Sequence, residues 1–403
     1  MTERLRLKPR EERRLRGGHV WIYSNEIDTA ATPLKAFAPG DEAVLENAQG
    51  RPLGRVLVSP QALICARLFS RDPQQGFDEA LILERLRAAL ALREACYGAA
   101  GCYRLVYGES DGLSGLVIDR FGPVVVVQTA TAGMDRHLPL ILSALETLLA
   151  PRSIVLKQDS GARSLEGLEE TVVVHGQPLD DAVPLEENGV RFLAPVLEGQ
   201  KTGWFYDHRE NRARLASLAK GARVLDAFSY VGAWGLTALA QGADALVAVD
   251  GSQRALEHLD ANAAALGLAD RVETVRGDAF KVLEAQADAG ERFDVVIVDP
   301  PALIKRRKDL KAGQHGYERL ARQALRLTAP GGLCLFASCS LHYDRAMMTD
   351  TLRSAARHTD RSLQMLWSHG AGLDHPVHPA IPETDYLKAT LARVSPPGRG
   401  GAF

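Results

Sequence analysis

Four acidic residues recur in the C-terminal half of this 403-residue chain, each beside a short apolar run. Asp226 follows Val224 and Leu225, Asp250 follows the run 245–249, Asp278 follows Gly277, and Asp299 follows the run 293–298. A fifth reactive group, the thiol of Cys339, comes just after the apolar stretch 333–337 and lies between Ser338 and Ser340. Apolar runs alternating with helical segments predict a parallel sheet with crossover helices. In such sheets ligands bind at the carboxyl ends of the strands, where all five groups are expected.

The loop after Asp226 decides between ligands. A dinucleotide site wants G-x-G-x-x-G, with a pyrophosphate on the helix N-terminus. Here 226–232 reads DAFSYVG, so Asp226, Phe228 and Tyr230 replace the early glycines, and only Gly232 remains before a helix expected at 236–240. A carboxylate at that point repels a pyrophosphate but suits the ammonium end of a methionine. S-adenosylmethionine is therefore the expected cofactor, and NAD is disfavoured. Asp250 would then hold the ribose hydroxyls, and Asp278 would accept from the adenine amino group. Upstream, the stretch 199–212 contributes Lys201 and Thr202 as a pocket wall, with Asp207 and Arg209 fixing the loop; its competing reading is a charged helix start. The expected cofactor contacts are Lys201, Thr202, Asp226, Phe228, Tyr230, Gly232, Asp250, Ser252, Asp278, Ala279, Asp299 and Pro300.

A methyl group can pass to a heteroatom with its own lone pair, or to a carbon first made nucleophilic. Amino-group methyltransferases often follow Asp/Asn-Pro-Pro with an aromatic residue that stacks on the base; here Ala302 follows Asp299-Pro300-Pro301. A thiol beyond a strand end suits covalent catalysis. Thiolate addition to C6 of a pyrimidine would make C5 a nucleophile, with Asp299 holding the N3/amino edge of a cytosine. Cys339 and Asp299 are thus the expected catalytic residues. Otherwise Cys339 is a small residue capping a strand, the role expected of Cys334 within its apolar run.

The elements that must position these groups occupy only part of the chain. A length of 403 residues favours two or three domains. Short strand-like runs at 42–46 and 54–58, separated by turn signals, predict a β-rich domain over 1–75. A helix over 77–97 opens a second segment, 76–184, predicted as a strand-strand-helix-strand-strand unit with its helix near 137–149. The expected third domain is 185–403, α/β, ending in a Pro/Gly tail at Pro396-Pro397-Gly398. Hydrophobic and charged fractions of 46% and 24% are those of an ordinary globular protein. No run approaches the roughly 18–20 apolar residues of a membrane span. The five cysteines are odd in number and lack metal-ligand spacing, so a reduced, cytoplasmic protein without a metal is expected. Net charge is only -2, so a polyanion would be met by local clusters: Lys8, Arg10, Arg13 and Arg14 near the N-terminus, and Lys305 and Arg306 beyond Asp299.

Together these motifs resemble the bacterial 23S ribosomal RNA cytosine-C5 methyltransferases with an N-terminal PUA domain, over nearly the whole chain. The matching segments are KPREERRLRGGHVWIYSNEI (8–27), GESDGLSGLVIDRF (108–121), GQKTG (199–203), DAFSYVG, DPPA, SCS, DHPVH (374–378) and PETDYLK (382–388). The resemblance implies a PUA domain, a small central α+β domain and a Rossmann-like class I methyltransferase domain. It further implies adenosylmethionine contacts from the Lys201 motif and the four acids, Cys339 as nucleophile, and ribosomal RNA as partner, with the target base flipped into the C-terminal cleft. Trp234 departs from the pattern, where a smaller residue is expected, and would narrow the pocket. A homodimer stays open. So do two rival functions: methylation of a guanine nitrogen in rRNA with Cys339 merely structural, and a non-catalytic RNA-binding assembly factor.

Overall fold

The computed structural model describes residues 3–99 and 101–395, so the Pro396–Gly398 tail lies outside the described residues. The chain forms two compact units. The first comprises Met1–Leu185, Pro195–Tyr206 and Leu373–Thr384; the second comprises Glu186–Ala194, Asp207–Gly372 and Asp385–Phe403. The segment 185–403, expected as one domain, thus lends two short stretches to the first unit.

Two five-stranded sheets build the first unit. One is ordered Glu3–Arg6, Glu42–Glu46, Pro52–Val58, Ile64–Ser70, Trp21–Tyr23, over a core that includes Leu5, Ile22, Leu45 and Val56. The other runs Thr171–Gly176, Ser153–Gln158, Val124–Thr129, Leu116–Phe121, Cys102–Tyr107. The helices Glu79–Tyr97 and Leu138–Leu149 share its core. Asp78 caps the first helix, accepting from the Leu81 N–H. Cys102–Tyr107 adds an edge strand that the strand-strand-helix-strand-strand pattern did not include. Its short run is interrupted by Arg104, which hides the alternation.

Two of the motifs quoted above are structural here. Arg93, fully buried, forks onto both carboxylate oxygens of Asp111 at 2.6 and 2.7 Å and donates to the Asp374 carbonyl at 2.9 Å. The Asp374 carboxylate accepts from the Arg104 N–H at 3.0 Å and meets His375 Nδ1 at 2.7 Å. The GESDG and DHPVH segments are therefore two halves of one buried polar network in the first unit.

Elements of the second unit are numbered within it. Strands β1 (Arg223–Ala227), β2 (Ala245–Asp250), β3 (Val272–Arg276), β4 (Phe293–Val298), β5 (Thr328–Ser338), β6 (Leu363–His369) and β7 (Lys388–Val394) form one sheet ordered 3-2-1-4-5-7-6. The first five are parallel, and β7 runs antiparallel between β5 and β6. Helices α1 (Arg209–Ala216), α2 (Ala233–Ala240), α3 (Gln253–Ala265), α4 (Ala279–Asp288), α5 (Leu310–Leu327) and α6 (Arg345–His358) complete it. Val224, Leu225, Val296, Ile297 and Val298 are all fully buried, as expected of central strands covered on both faces. Among the described residues no helix is long and apolar enough to cross a membrane.

Candidate active site

Register places the acids at one edge. Ala227 pairs with Val249 on one side and Val298 on the other, so Asp250 and Asp299 each lie one residue beyond a common level. Val298 pairs with Phe336 on the next strand, β5, and Cys339 directly follows the last residue of that strand, Ser338. Asp278 follows β3 and caps α4, exposed, accepting from the Lys281 N–H. The strand order thus gathers residues scattered over more than a hundred positions.

Asp226 is fully buried. Its Oδ2 accepts from the Gly235 N–H at 3.0 Å at the start of α2, while Oδ1 has no hydrogen-bond partner. Burial pushes its carboxyl up to about 8 against that hydrogen bond, and the charges of Asp299 and Asp250 add to the rise. An orphaned carboxylate oxygen in an acidic surround wants a cation. S-adenosylmethionine brings an ammonium and a sulfonium, so these residues fit that group.

The loop itself is glycine-like without glycine. Phe228 and Tyr230 adopt φ of 65° and 50°, the left-handed region that bulky side chains avoid. The N–H groups of Phe228 and Ser229 both donate to the Val249 carbonyl, and that of Tyr230 donates to Asp250 Oδ2 at 2.9 Å. Asp250 Oδ1 accepts from the Ser252 N–H at 2.8 Å, and Ser252 caps α3. These bonds fix the turn, and the Phe228 ring meets Phe280 edge-on at 6.4 Å between centroids. Gly232 is required for packing: at φ 86° it caps α2, and a Cβ there would lie 2.8 Å from both Leu236 and Leu259. Ala279 and Pro300 are buried beside their acids.

Asp299 belongs to a polar cluster that the sequence did not reveal. Its Oδ2 accepts from Trp234 Nε1 at 3.0 Å and faces His208 Nε2 at 3.4 Å. Burial opposes charge on both partners. Their mutual attraction wins, raising the His208 imidazole above its ordinary value and lowering Asp299 below its own. Each group favours the charged form of the other. Trp234 is buried, and its indole N–H fixes the orientation of Asp299.

The chain is 36% identical to the ribosomal RNA large subunit methyltransferase I of Aeromonas salmonicida over 392 residues, spanning 96% of this chain and 98% of that protein. It is 35% identical to the namesake from Escherichia coli, covering 98% of this chain and all of that one. It belongs to the ribosomal RNA large subunit methyltransferase I family. A PUA-like domain model matches residues 5–71, and a model described as conserved hypothetical protein 95 matches 210–310. Among solved structures, a methyltransferase complexed with SAH superposes with a TM-score of 0.82 over 97% of this chain and all of that chain, at 20% identity. A SAM-dependent methyltransferase from Streptococcus mutans gives 0.81 over 96% of this chain and all of that one, at 19% identity. The fold is a Rossmann-like class I methyltransferase domain with an N-terminal PUA-like domain and a small central α+β domain.

Within this member of the large subunit methyltransferase I family, the other expected site residues divide by environment. Lys201 and Thr202 belong to the first unit. Thr202 is fully buried and donates to Asp119 Oδ2 at 2.5 Å, while Lys201 holds its ammonium 4.7 Å from the Phe205 ring centroid. At the other end of that stretch, Tyr386 donates to Asp207, and the Arg209 carbonyl accepts from Asn188. In the N-terminal basic segment Arg4 and Arg6 pair with buried Glu46, and Arg14 pairs with Glu26 at 2.5 Å and lies over the Tyr23 ring. Lys8, Arg10 and Arg13 are exposed, as are Lys305 and Arg306, the last bonded to Asp309 at 3.2 Å. Lys388, absent from the expected site, reaches the Ser340 carbonyl next to Cys339 at 2.6 Å.

Proposed function

We propose that this protein transfers the methyl group of S-adenosylmethionine to C5 of a cytosine in 23S ribosomal RNA, through a covalent bond between Cys339 and C6. The observation that carries this is Cys339 itself, at the carboxyl end of β5 beside the Asp299 strand, with Ala302 where an aromatic platform would serve amino-group methylation. Ser338 and Ser340 converge on Tyr317 Oη, each at 2.7 Å, and so fix the backbone on either side of the half-buried thiol.

S-adenosylmethionine, when bound, supplies an electrophilic methyl group. Asp226, Asp250 and Asp278 would hold it by its ammonium, ribose hydroxyls and adenine amino group, on the loop of Phe228, Tyr230 and Gly232. The Cys339 thiolate adds to C6 and moves the electron pair of the C5–C6 double bond to C5. Asp299, oriented by Trp234 and His208, holds the N3/amino edge of the base. Once C5 carries the methyl group, its proton passes to a base, that electron pair reforms the C5–C6 double bond, and the S–C6 bond breaks to return the Cys339 thiolate. Exposed Lys8, Arg10 and Arg13, with Lys305 and Arg306, meet the phosphates. Ribosomal RNA as substrate places this work in the cytoplasm, and a homodimer is compatible with it.

RNA carrying 5-fluorocytidine in place of cytidine tests the mechanism, because fluorine at C5 blocks the final elimination. The expected result is a covalent protein–RNA species that Cys339→Ala abolishes, together with loss of one 5-methylcytosine from 23S rRNA in cells lacking the gene. Undiminished methylation by Cys339→Ala would overturn the covalent route and favour guanine nitrogen as the acceptor. An intact 5-methylcytosine map would overturn the substrate.

A further inference from the structure

Lys388 opens β7 directly opposite Ser338, the last residue of β5. It is 4% exposed, and the carboxylates of Asp385 and Asp344 act on its amine only weakly. Burying an ammonium without a counter-charge is costly, so a lysine retained there needs a partner or a neutral state. Its Nζ donates to the Ser340 carbonyl, one residue past Cys339, and to the Tyr386 carbonyl, both at 2.6 Å. A neutral amine spends both its hydrogens on those two carbonyls, which leaves the nitrogen lone pair as an acceptor.

We propose that Lys388 is the positioning residue that takes the Cys339 thiol proton and then stands as the thiolate's counter-ion. The S–H bond breaks as an N–H bond forms, so the pair passes from thiol and amine to thiolate and ammonium with no change in net charge. The thiolate is then free to add to a pyrimidine, and the ammonium, held by the two carbonyls, offsets its charge. This rests on Cys339 as the nucleophile. Burial lowers the Lys388 amine to about 8, opposed by the Cys339 charge; Arg345 lowers it further, and Asp385 and Asp344 raise it. Tyr317 also faces Cys339. An amine so lowered gives up and takes a proton near neutral pH.

The test is the rate of Cys339 alkylation by iodoacetamide against pH in the full chain, with the modified cysteine assigned by peptide mass spectrometry. In the wild-type protein the midpoint is expected below the roughly 8.5 of a free thiol. Lys388→Met should move it up by about one pH unit, a tenfold loss of rate at neutral pH, and Lys388→Arg should restore most of the reactivity by restoring the charge. A folded Lys388→Met protein with an unchanged profile overturns the proposal. If that variant does not fold, the reciprocal measurement decides: Cys339→Ser should shift the titration of Lys388 read by NMR of its ε-carbon, and no shift overturns the coupling. Coupled titration in a protein that leaves cytosine unmodified would sink the substrate assignment and keep the pair. A trapped RNA adduct with uncoupled titration would do the reverse.

Discussion

Asp299 carries its charge because two neighbours stabilise it, and each can be removed singly. His208→Phe keeps the ring volume and leaves a largely buried carboxylate without its cation, which is expected to destabilise the protein by about 3 kcal/mol in urea unfolding. The His208 imidazole is raised, so its contribution is complete below the ordinary imidazole value of 6.5 and fades as pH rises through its folded value. Asp299 is lowered, so its contribution is complete above 3.8 and fades as pH falls through its own folded value. The gap between wild type and His208→Phe should therefore be widest between those two values and shrink toward both pH extremes; a gap that is constant with pH would remove the ion pair from the account. Asp226 behaves oppositely. Its raised carboxyl makes the folded state hold a proton that the unfolded chain has lost, so between 3.8 and about 8 it costs stability as pH rises. Asp226→Asn is expected to stabilise the free protein by more than about 1 kcal/mol at pH 8 and to weaken binding of S-adenosylmethionine in calorimetry. Stabilisation with undiminished affinity would free Asp226 of its assigned role.

The turn from β1 into α2 shows how one element combines several local conflicts. Phe228 and Tyr230 are held at positive φ by hydrogen bonds to Val249 and Asp250, so the strain of this loop is offset by the next strand. Gly232→Ala would add both a left-handed backbone penalty and an overlap with Leu236 and Leu259. The expected loss is about 2–3 kcal/mol, readable as a lowered melting temperature before any cofactor is added. Trp234→Phe retains the packing of α2 and removes only the N–H donated to Asp299. A loss of about 1–2 kcal/mol is expected, with the larger effect on catalysis. The strand ends were legible because apolar runs stop at acids. The positive φ of Phe228 and Tyr230 was not, since nothing in their chemistry favours that conformation.

Across the whole chain the basic residues split into two populations that the sequence presents as one. Arg4, Arg6 and Arg14 neutralise Glu46 and Glu26, whose carboxylates are buried or nearly so. Lys8, Arg10 and Arg13 lie exposed on the same segment. Replacing Arg10 and Arg13 by Ala should leave the melting temperature unchanged and reduce the salt dependence of RNA binding by somewhat under one unit of log–log slope per residue. Replacing Arg14 should instead lower stability, because Glu26 loses its partner. An unchanged salt slope in the Arg10/Arg13 double variant would take the PUA-like domain's basic segment out of the RNA interface.

The sequence by itself determined the cofactor class, the parallel sheet and the positions of Asp226, Asp250, Asp278, Asp299 and Cys339. Each of these depends on a local rule: an apolar run long enough for a strand, followed by a polar residue at its end. It also marked DHPVH and GESDG as meaningful without saying why. Only the tertiary structure decided that these two motifs meet through Arg93, that His208 and Trp234 aim Asp299, and that Lys388 faces the Cys339 turn. Those contacts join residues far apart in the chain, and burial supplies the energy that shifts their proton affinities. Neither distance across a sheet nor exclusion of water is written in any single stretch of sequence.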